Sequence, residues 1–201
     1  MGATVSRTAA HRSGAGPRGG VSAEGPGPGG TADAWPPKPT TLRELFLRPR
    51  RKLSFEPETM GTEYAAPDGF YQAPLTVTDK VEILDWSTAP FEKPTELIGT
   101  GAAYLFVEID QPDTNLILRL WDEAPGGARQ LITSGYLKAS HRELDLERSG
   151  PGHPYHPHTR TVPVEPGAIE EYPVRLYPFA APFLPCSVFC TIRSASILDV
   201  T

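Results

Sequence analysis

The sequence contains only two cysteines, Cys186 and Cys190, both close to its C-terminal end. Their i, i+4 spacing is not the C-x-x-C spacing of a redox or zinc motif. On a strand the two side chains would lie about 13 Å apart along one face, which is too far for a mutual disulfide. The spacing therefore predicts free thiols in a reducing compartment, and we expect a cytoplasmic protein.

Long apolar runs are also missing. No apolar stretch of about 7 to 15 residues follows the N-terminus, so the sequence shows no secretory signal. It also lacks a run of about 18 apolar residues, so we expect neither a membrane span nor a membrane partner. No segment sustains the 3.6-residue apolar period of a long helix.

The charge pattern excludes a typical nucleic-acid-binding domain. The net charge is −5, and residues 51–201 carry twelve Lys/Arg against 21 Asp/Glu. An acidic body of this kind would repel a phosphate backbone. Residues 1–50 carry seven Lys/Arg against three Asp/Glu, and we interpret this basic part as a solvated tail.

Residues 1–34 lack any apolar periodicity and hold nine of the 19 glycines. We predict that they form a disordered Gly/Pro/Arg-rich leader that is dispensable for folding. The folded domain is then expected over residues 35–201.

Two apolar runs in the middle of the chain alternate with a period of two, as strands with one buried face require. Their alternating apolar positions are Leu105, Val107, Ile109, Leu116, Leu118 and Leu120. Turn residues at 110–115 separate the runs, and those at 122–127 lead to a third run at 130–137. This order predicts an antiparallel meander of three strands.

Further strands are predicted at 168–177, where Pro173 suggests an edge position or a bulge, and at 188–192. Short strands with frequent turn signals indicate an all-β sandwich of two antiparallel sheets. The residues that we expect to be buried include Leu105, Val107, Leu118, Leu120, Leu131, Val174 and Leu176.

Catalytic and phosphate-binding motifs are missing. No serine has glycines at both −2 and +2, as a nucleophile elbow requires. Residues 14–30 lack the preceding strand and the following Lys-Ser/Thr of a phosphate loop. Nothing in the sequence specifically supports a dyad of Cys186 or Cys190 with a histidine.

Three histidines, His153, His156 and His158, fall within six residues, with His141 upstream. They could bind a metal, but two prolines hold the run extended and no acid lies within it. A rigid Pro/His loop packed on a sheet edge is the favoured interpretation.

Aspartates in turns suggest calcium binding only weakly, because aspartate is expected in turns for structural reasons. The three residues concerned are Asp110, Asp113 and Asp122.

Several separate segments carry a resemblance to one known module. They are PTELIG at 94–99, DTN at 113–115, LRLWD at 118–122, LITSGYLKASHR at 131–142, GHPYHPH at 152–158, EPG at 165–167 and VRLYPFA at 174–180. From about Trp35 to Leu184 the chain resembles the C-terminal non-catalytic domain of the X-Pro dipeptidyl-peptidase and cocaine-esterase family of serine hydrolases. The resemblance implies a jelly-roll sandwich, similar to galactose-binding domains, that packs against an α/β-hydrolase domain supplying the Ser-Asp-His triad.

The sequence departs from that family at both ends. A Gly-rich leader stands where the family has its catalytic domain. After Leu184 and Pro185 the family pattern has a glycine and a basic alternating strand, whereas this chain has CSVFC at 186–190. We therefore expect a jelly roll that is incomplete at its C-terminus, with an open sheet edge prone to self-association.

The resulting hypothesis is a non-catalytic domain of an X-Pro dipeptidyl-peptidase or related acyl hydrolase. It predicts no catalytic, cofactor-binding or metal-binding residue in this chain and no cofactor. The expected partner is an α/β-hydrolase catalytic domain or subunit, with self-association as a further expectation. The alternative is a free-standing carbohydrate- or protein-binding sandwich.

Overall fold

The structure is a computed structural model that describes residues 35–36, 40–56, 68–73, 76–78 and 82–186, and the backbone of strands at 2–5, 20–23 and 188–191. The strands are β1 (Gly2–Val5), β2 (Gly20–Ala23), β3 (Thr41–Glu44), β4 (Phe46–Arg48), β5 (Lys52–Ser54), β6 (Asp68–Tyr71), β7 (Trp86–Ser87), β8 (Thr95–Gly99), β9 (Ala102–Ile109), β10 (Asn115–Glu123), β11 (Arg129–Lys138), β12 (Ile169–Arg175), β13 (Phe179–Phe183) and β14 (Val188–Thr191). Within these residues, one turn of 3-10 helix at Ala139–His141 is the sole helical element. The prediction of an all-β fold is confirmed.

The strands form three hydrogen-bonded sheets rather than the two predicted. Their strand orders are β12-β9-β1-β6, β11-β10-β14-β7-β5-β4 and β13-β8-β2-β3. The described pairings are antiparallel except for the one between β5 and β7, which is parallel. Alternation within a strand shows which face is buried, but it does not show how the strands divide among sheets. The predicted edge position of the strand with Pro173, β12, is confirmed.

All three sheets contribute to one apolar core. Each sheet supplies one large side chain that is completely buried: Tyr172 from β12, Trp86 from β7 and Phe183 from β13. Burying a large apolar side chain contributes about 1.5–3 kcal/mol to folding. Six of the seven residues predicted to be buried lie in this core, namely Leu105, Val107, Leu118, Leu120, Val174 and Leu176.

Leu131 is the exception, because its side chain is 46% exposed. The register between β10 and β11 shifts at this point: Leu120 faces Thr133, whereas Trp121 faces Leu131. The extra residue, Ile132, packs against the core instead. A bulge of this kind reverses the faces of the strand beyond it, so regular alternation predicts the wrong face for Leu131.

The predicted three-strand meander is also wrong. β10 pairs with β11 over nine residue positions, but β9 belongs to a different sheet and pairs with β12. The connection at residues 110–114 therefore carries the chain from one sheet to another. Two successive strands with short turns between them have the same alternation whether they pair or lie in different sheets.

The predicted disordered leader lies mostly outside the described residues. Within it, the backbone of two short strands is described. β1 pairs with both β6 and β9, and β2 pairs with β3 and with β8. The boundary at residue 35 stays a prediction.

The end of β12 meets β11 at Gly135 and joins two of the sheets. Gly135 and Leu176 form an antiparallel bridge, and the amide of Tyr177 donates to the carbonyl of Ser134 at 2.9 Å. A Cβ atom added at Gly135 would lie only 2.3 Å from the carbonyl oxygen of Arg175. A side chain at position 135 therefore requires the strand backbone at this seam between the sheets to shift.

We expect Gly135→Ala to lower the free energy of unfolding by about 1–3 kcal/mol, because the added methyl group must push a strand backbone aside. Urea denaturation of the purified chain measures the change. Gly126→Ala is the matched control, since a Cβ atom there meets nothing within 4 Å. Equal free energies of unfolding for the two variants would show that the strand backbone shifts at this seam without loss of stability, which would contradict the prediction.

Deleting residues 1–34 is expected to lower the melting temperature, because it removes β1 from between β6 and β9 and exposes the edge of β9. Differential scanning calorimetry of the full and shortened chains tests this. An unchanged melting temperature would instead support the leader that the sequence predicts.

Candidate functional site

The Pro/His loop, defined here as residues 139–168 between β11 and β12, is the longest connection in the described part of the chain. It contains one turn of 3-10 helix but no strand. Its backbone is nevertheless bonded at several points: Asp145 N donates to Tyr155 O at 3.0 Å, and Val162 N donates to Ser140 O at 2.7 Å. Loops of this length without their own secondary structure are often functional, so we treat it as the candidate site.

Asp113 anchors the beginning of the loop. Its Oδ1 accepts hydrogen bonds from the amides of Thr114 at 2.9 Å and Ser140 at 3.0 Å, and its Oδ2 accepts from Ser140 Oγ at 2.7 Å. Lys138 Nζ lies 3.3 Å from Oδ2. Partial burial acts to raise the pKa of Asp113, but the hydrogen bonds from Ser140, Thr114 and Lys138 outweigh it and hold the pKa below its usual value. The carboxylate therefore has a structural role, as expected for an aspartate in this turn.

Arg142 ties the loop to itself and to β12. Its Nη1 donates to the carbonyls of Ala139 at 3.3 Å and Val162 at 2.8 Å, and its Nη2 donates to the carbonyl of Pro163 at 2.9 Å and to Glu170 Oε1 at 2.6 Å. The side chain is only 12% exposed. Charge-assisted bonds of this kind are stronger than neutral ones, so one guanidinium fixes both ends of the loop.

Tyr172 completes this cluster on the inner side. Its hydroxyl donates to Glu170 Oε2 at 3.0 Å, and its ring lies 5.8 Å from the guanidinium carbon of Arg142. Burial, followed by the bond to Glu170, raises the pKa of Tyr172. The phenol therefore stays neutral and acts as a hydrogen-bond donor.

His156 fastens the middle of the loop to the edge of the sheet. Its Nδ1 lies 3.0 Å from the carbonyl oxygen of Glu143, and its Nε2 lies 2.8 Å from the carbonyl oxygen of Pro173 on β12. A doubly protonated ring donates to both oxygens, whereas a neutral ring donates to one. The predicted packing of a Pro/His loop against a sheet edge is confirmed by this contact.

His141 and His158 form a pair on the surface of the loop. Their Nδ1 atoms are 3.1 Å apart, and the His158 ring centroid lies 5.3 Å from that of His141 and 5.8 Å from that of His156. The pair bonds when one Nδ1 carries a proton and the other accepts it. Burial, and then the positive charges of His141 and His156, lower the pKa of His158.

The described residues contain no group of three or more His, Cys, Asp or Glu side chains that could hold a metal ion. Both ring nitrogens of His156 already face carbonyl oxygens. The four histidines weighed as ligands are therefore not brought together as a coordination shell in this part of the chain.

The described residues also form no helix with the length and hydropathy of a membrane span.

The two serine hydroxyls within the loop have structural partners. Ser140 Oγ donates to Asp113, and Ser149 Oγ donates to the carbonyl of Asp145 at 2.6 Å. Cys186 is an exposed free thiol, and the side chain of Cys190 lies outside the described residues. The described part of the loop thus shows no serine paired with a histidine base, which nucleophilic catalysis requires.

Neither Arg142 nor the outward-facing Tyr136 is predicted as a site residue from the sequence. The ring of Tyr136 lies 6.2 Å from that of Tyr177. A single arginine in a loop carries no sequence signal for burial. Tyr136 does carry a sequence signal, because it is an aromatic residue at an outward position of an alternating strand.

Comparison with protein families identifies one match that spans most of the chain. The model of the X-Pro dipeptidyl-peptidase C-terminal non-catalytic domain matches residues 15–185. This range includes β2 to β13 and the whole Pro/His loop.

A Mycobacterium bovis protein assigned as a serine esterase is 27% identical over 134 residues, covering 57% of this chain and 21% of the esterase. A CocE/NonD family hydrolase from Staphylococcus aureus has a similar fold, with a TM-score of 0.66 and 19% identity over 86% of this chain and 32% of the hydrolase. An aminopeptidase from a marine sediment Thaumarchaeota archaeon has a TM-score of 0.59 and 19% identity over 84% of this chain and 31% of its own. The chain thus spans about a fifth of the curated relative's length.

The histidine pair generates a prediction about pH. In the unfolded chain His158 regains the ordinary pKa of about 6.5, which lies above its lowered pKa in the fold. Between these two values the unfolded chain binds more protons, so the free energy of unfolding should fall as the pH falls through this interval. At a pH above the ordinary pKa, the contribution of neutral His158 to the free energy of unfolding is fully present. Urea denaturation at a series of pH values from 8 to 5 measures it.

His158→Asn is the informative variant, since asparagine does not titrate and tolerates the φ of +52° at this position. It should reduce the loss of stability at acid pH. His153→Asn serves as the control and should keep that loss. An acid response that is identical in the wild-type chain and in His158→Asn would contradict the prediction.

Proposed function

The chain belongs to the X-Pro dipeptidyl-peptidase C-terminal non-catalytic domain family, and from this membership we propose that it acts as the supporting domain of a serine hydrolase. In this proposal it packs against an α/β-hydrolase catalytic domain that cleaves X-Pro peptides or acyl esters. The catalytic domain supplies the nucleophile, and this chain supplies a rigid wall.

The observation that carries the proposal is the family match over residues 15–185. The likeness to the Staphylococcus aureus hydrolase supports the fold of such a domain. The hydrogen bonds of the two loop serines agree with a supporting role, because Ser140 and Ser149 both stabilise the local structure.

The Pro/His loop suits the part of a wall beside a substrate pocket. Arg142 holds it against β12 through the carboxylate of Glu170 at 2.6 Å, and His156 does so through the carbonyl of Pro173 at 2.8 Å. A rigid wall keeps water out of a pocket and holds a substrate in place. Such positioning can lower the activation free energy of the catalysed reaction substantially. The exposed thiol of Cys186 supports the proposal that the protein works in the cytoplasm.

The chain alone should not hydrolyse p-nitrophenyl acetate or an X-Pro p-nitroanilide. The partner for the test is the Mycobacterium bovis esterase shortened by the segment that this chain matches. Added in trans, the chain should bind the shortened esterase, raise its melting temperature and increase its hydrolysis of p-nitrophenyl acetate. Calorimetry and the absorbance of p-nitrophenol report these effects.

The intact esterase is the control, since its own matching segment should prevent binding. A fusion of this chain to the shortened esterase provides the same comparison if the separate chains associate weakly. Hydrolysis by the chain alone that is lost on mutating one serine would overturn the proposal. So would a shortened esterase that neither binds the chain nor gains activity from its fusion. Specific retention on a sugar matrix would favour the free-standing carbohydrate-binding alternative.

A further inference from the structure

The outward face of β10 and β11 is more apolar than an exposed sheet face needs to be. The register places Ile117 beside Tyr136 and Trp121 beside Leu131 on this face. Tyr136 is 54% exposed and Leu131 is 46% exposed. Antiparallel sheets with one face on the core normally present polar side chains on the other. An apolar outward face therefore indicates a surface that is covered in the working protein.

Tyr177 extends this face beyond the edge of β11. Its side chain is 63% exposed, and its ring lies 6.2 Å from that of Tyr136 at an angle of 55°. Its backbone is fixed on both sides, since its amide donates to Ser134 O and its carbonyl accepts from Thr133 Oγ1, each at 2.9 Å. The two rings form a platform that loses little conformational entropy when a partner covers it.

Arg119 lies in the middle of the face, opposite Ser134 and between the two apolar pairs. Its side chain is partly buried, yet its guanidinium makes no hydrogen bond or ion pair with the described part of the chain. A partly buried guanidinium that lacks a carboxylate is complementary to a partner that brings one. Tyrosine, tryptophan and arginine are also the residues that contribute most to the energy of protein interfaces.

We propose that this β10–β11 outer face, formed by Ile117, Arg119, Trp121, Leu131, Tyr136 and Tyr177, is the surface that docks the α/β-hydrolase catalytic domain. The inference rests on the proposed function and deepens it by naming the surface and its chemistry. The docked domain contributes an apolar patch to the two tyrosines and a carboxylate to Arg119.

A second copy of this chain fits the face less well. In a two-fold symmetric dimer the central residue of the shared surface meets its own copy. The centre here is Arg119, and two unpaired guanidinium groups would face each other at the axis. Like charges brought together in an interface oppose association. A partner of different sequence avoids this repulsion.

Three variants test the face through binding to the shortened esterase, measured by isothermal titration calorimetry. Tyr136→Ser and Tyr177→Ser remove the platform, and Arg119→Glu reverses the central charge. We expect each to weaken binding at least about tenfold, as for residues at the centre of an interface. Tyr71→Ser is the matched control, since Tyr71 is 64% exposed on β6 in another sheet. It should change the affinity less than about twofold, and the melting temperatures of all four variants should match the wild type.

The outcomes separate this inference from the proposed function. If the wild-type chain binds and the three variants bind equally well, the docking surface lies elsewhere, although the supporting role stands. If the wild-type chain neither binds nor activates the shortened esterase, both are overturned. A dimer of the chain alone in sedimentation, dissociated by Tyr136→Ser, would assign the face to a second copy and overturn the inference.

Discussion

The close contact between β11 and the end of β12 at Gly135 is the constraint on which the rest of the structure depends. It joins two sheets through backbone bonds rather than through side-chain packing alone. It also brings Tyr177 beside Tyr136 and so creates the aromatic part of the outer face. Both the layered core and the exposed platform therefore follow from a single position that has no side chain.

Bonds from a charged side chain add to the few backbone bonds that hold the Pro/His loop, whereas a helix or strand is held mainly by its own backbone bonds. Isolated ion pairs on a protein surface usually stabilise by less than about 1 kcal/mol. Arg142 differs because it is largely buried and donates to three carbonyls and one carboxylate at once. Removing it would leave several partly buried acceptors without donors, which costs more than the loss of one exposed pair. The loop is therefore part of the rigid scaffold.

The sequence predicts the strands well and their arrangement less well. Alternation correctly buries Leu105 on β9 and Leu118 on β10, because burial of one strand face is a local property. It fails at Leu131, where a one-residue bulge reverses the faces. It also pairs β9 with β10 wrongly, since sheet membership depends on contacts far apart in the chain. Arg142 could not be found from the sequence, because its four acceptors converge only after the loop has folded over β12.

The contact between His156 and Pro173 has a consequence for how this chain can meet other chains. Pro173 has no amide hydrogen, and its carbonyl oxygen on the edge strand β12 is already taken by His156 Nε2 at 2.8 Å. A foreign strand that approached this edge would find neither a donor nor a vacant acceptor at that position, so it could not extend the sheet there. At Pro173 the edge is therefore protected against amyloid-like strand addition, and a partner at this position must recognise side chains rather than backbone.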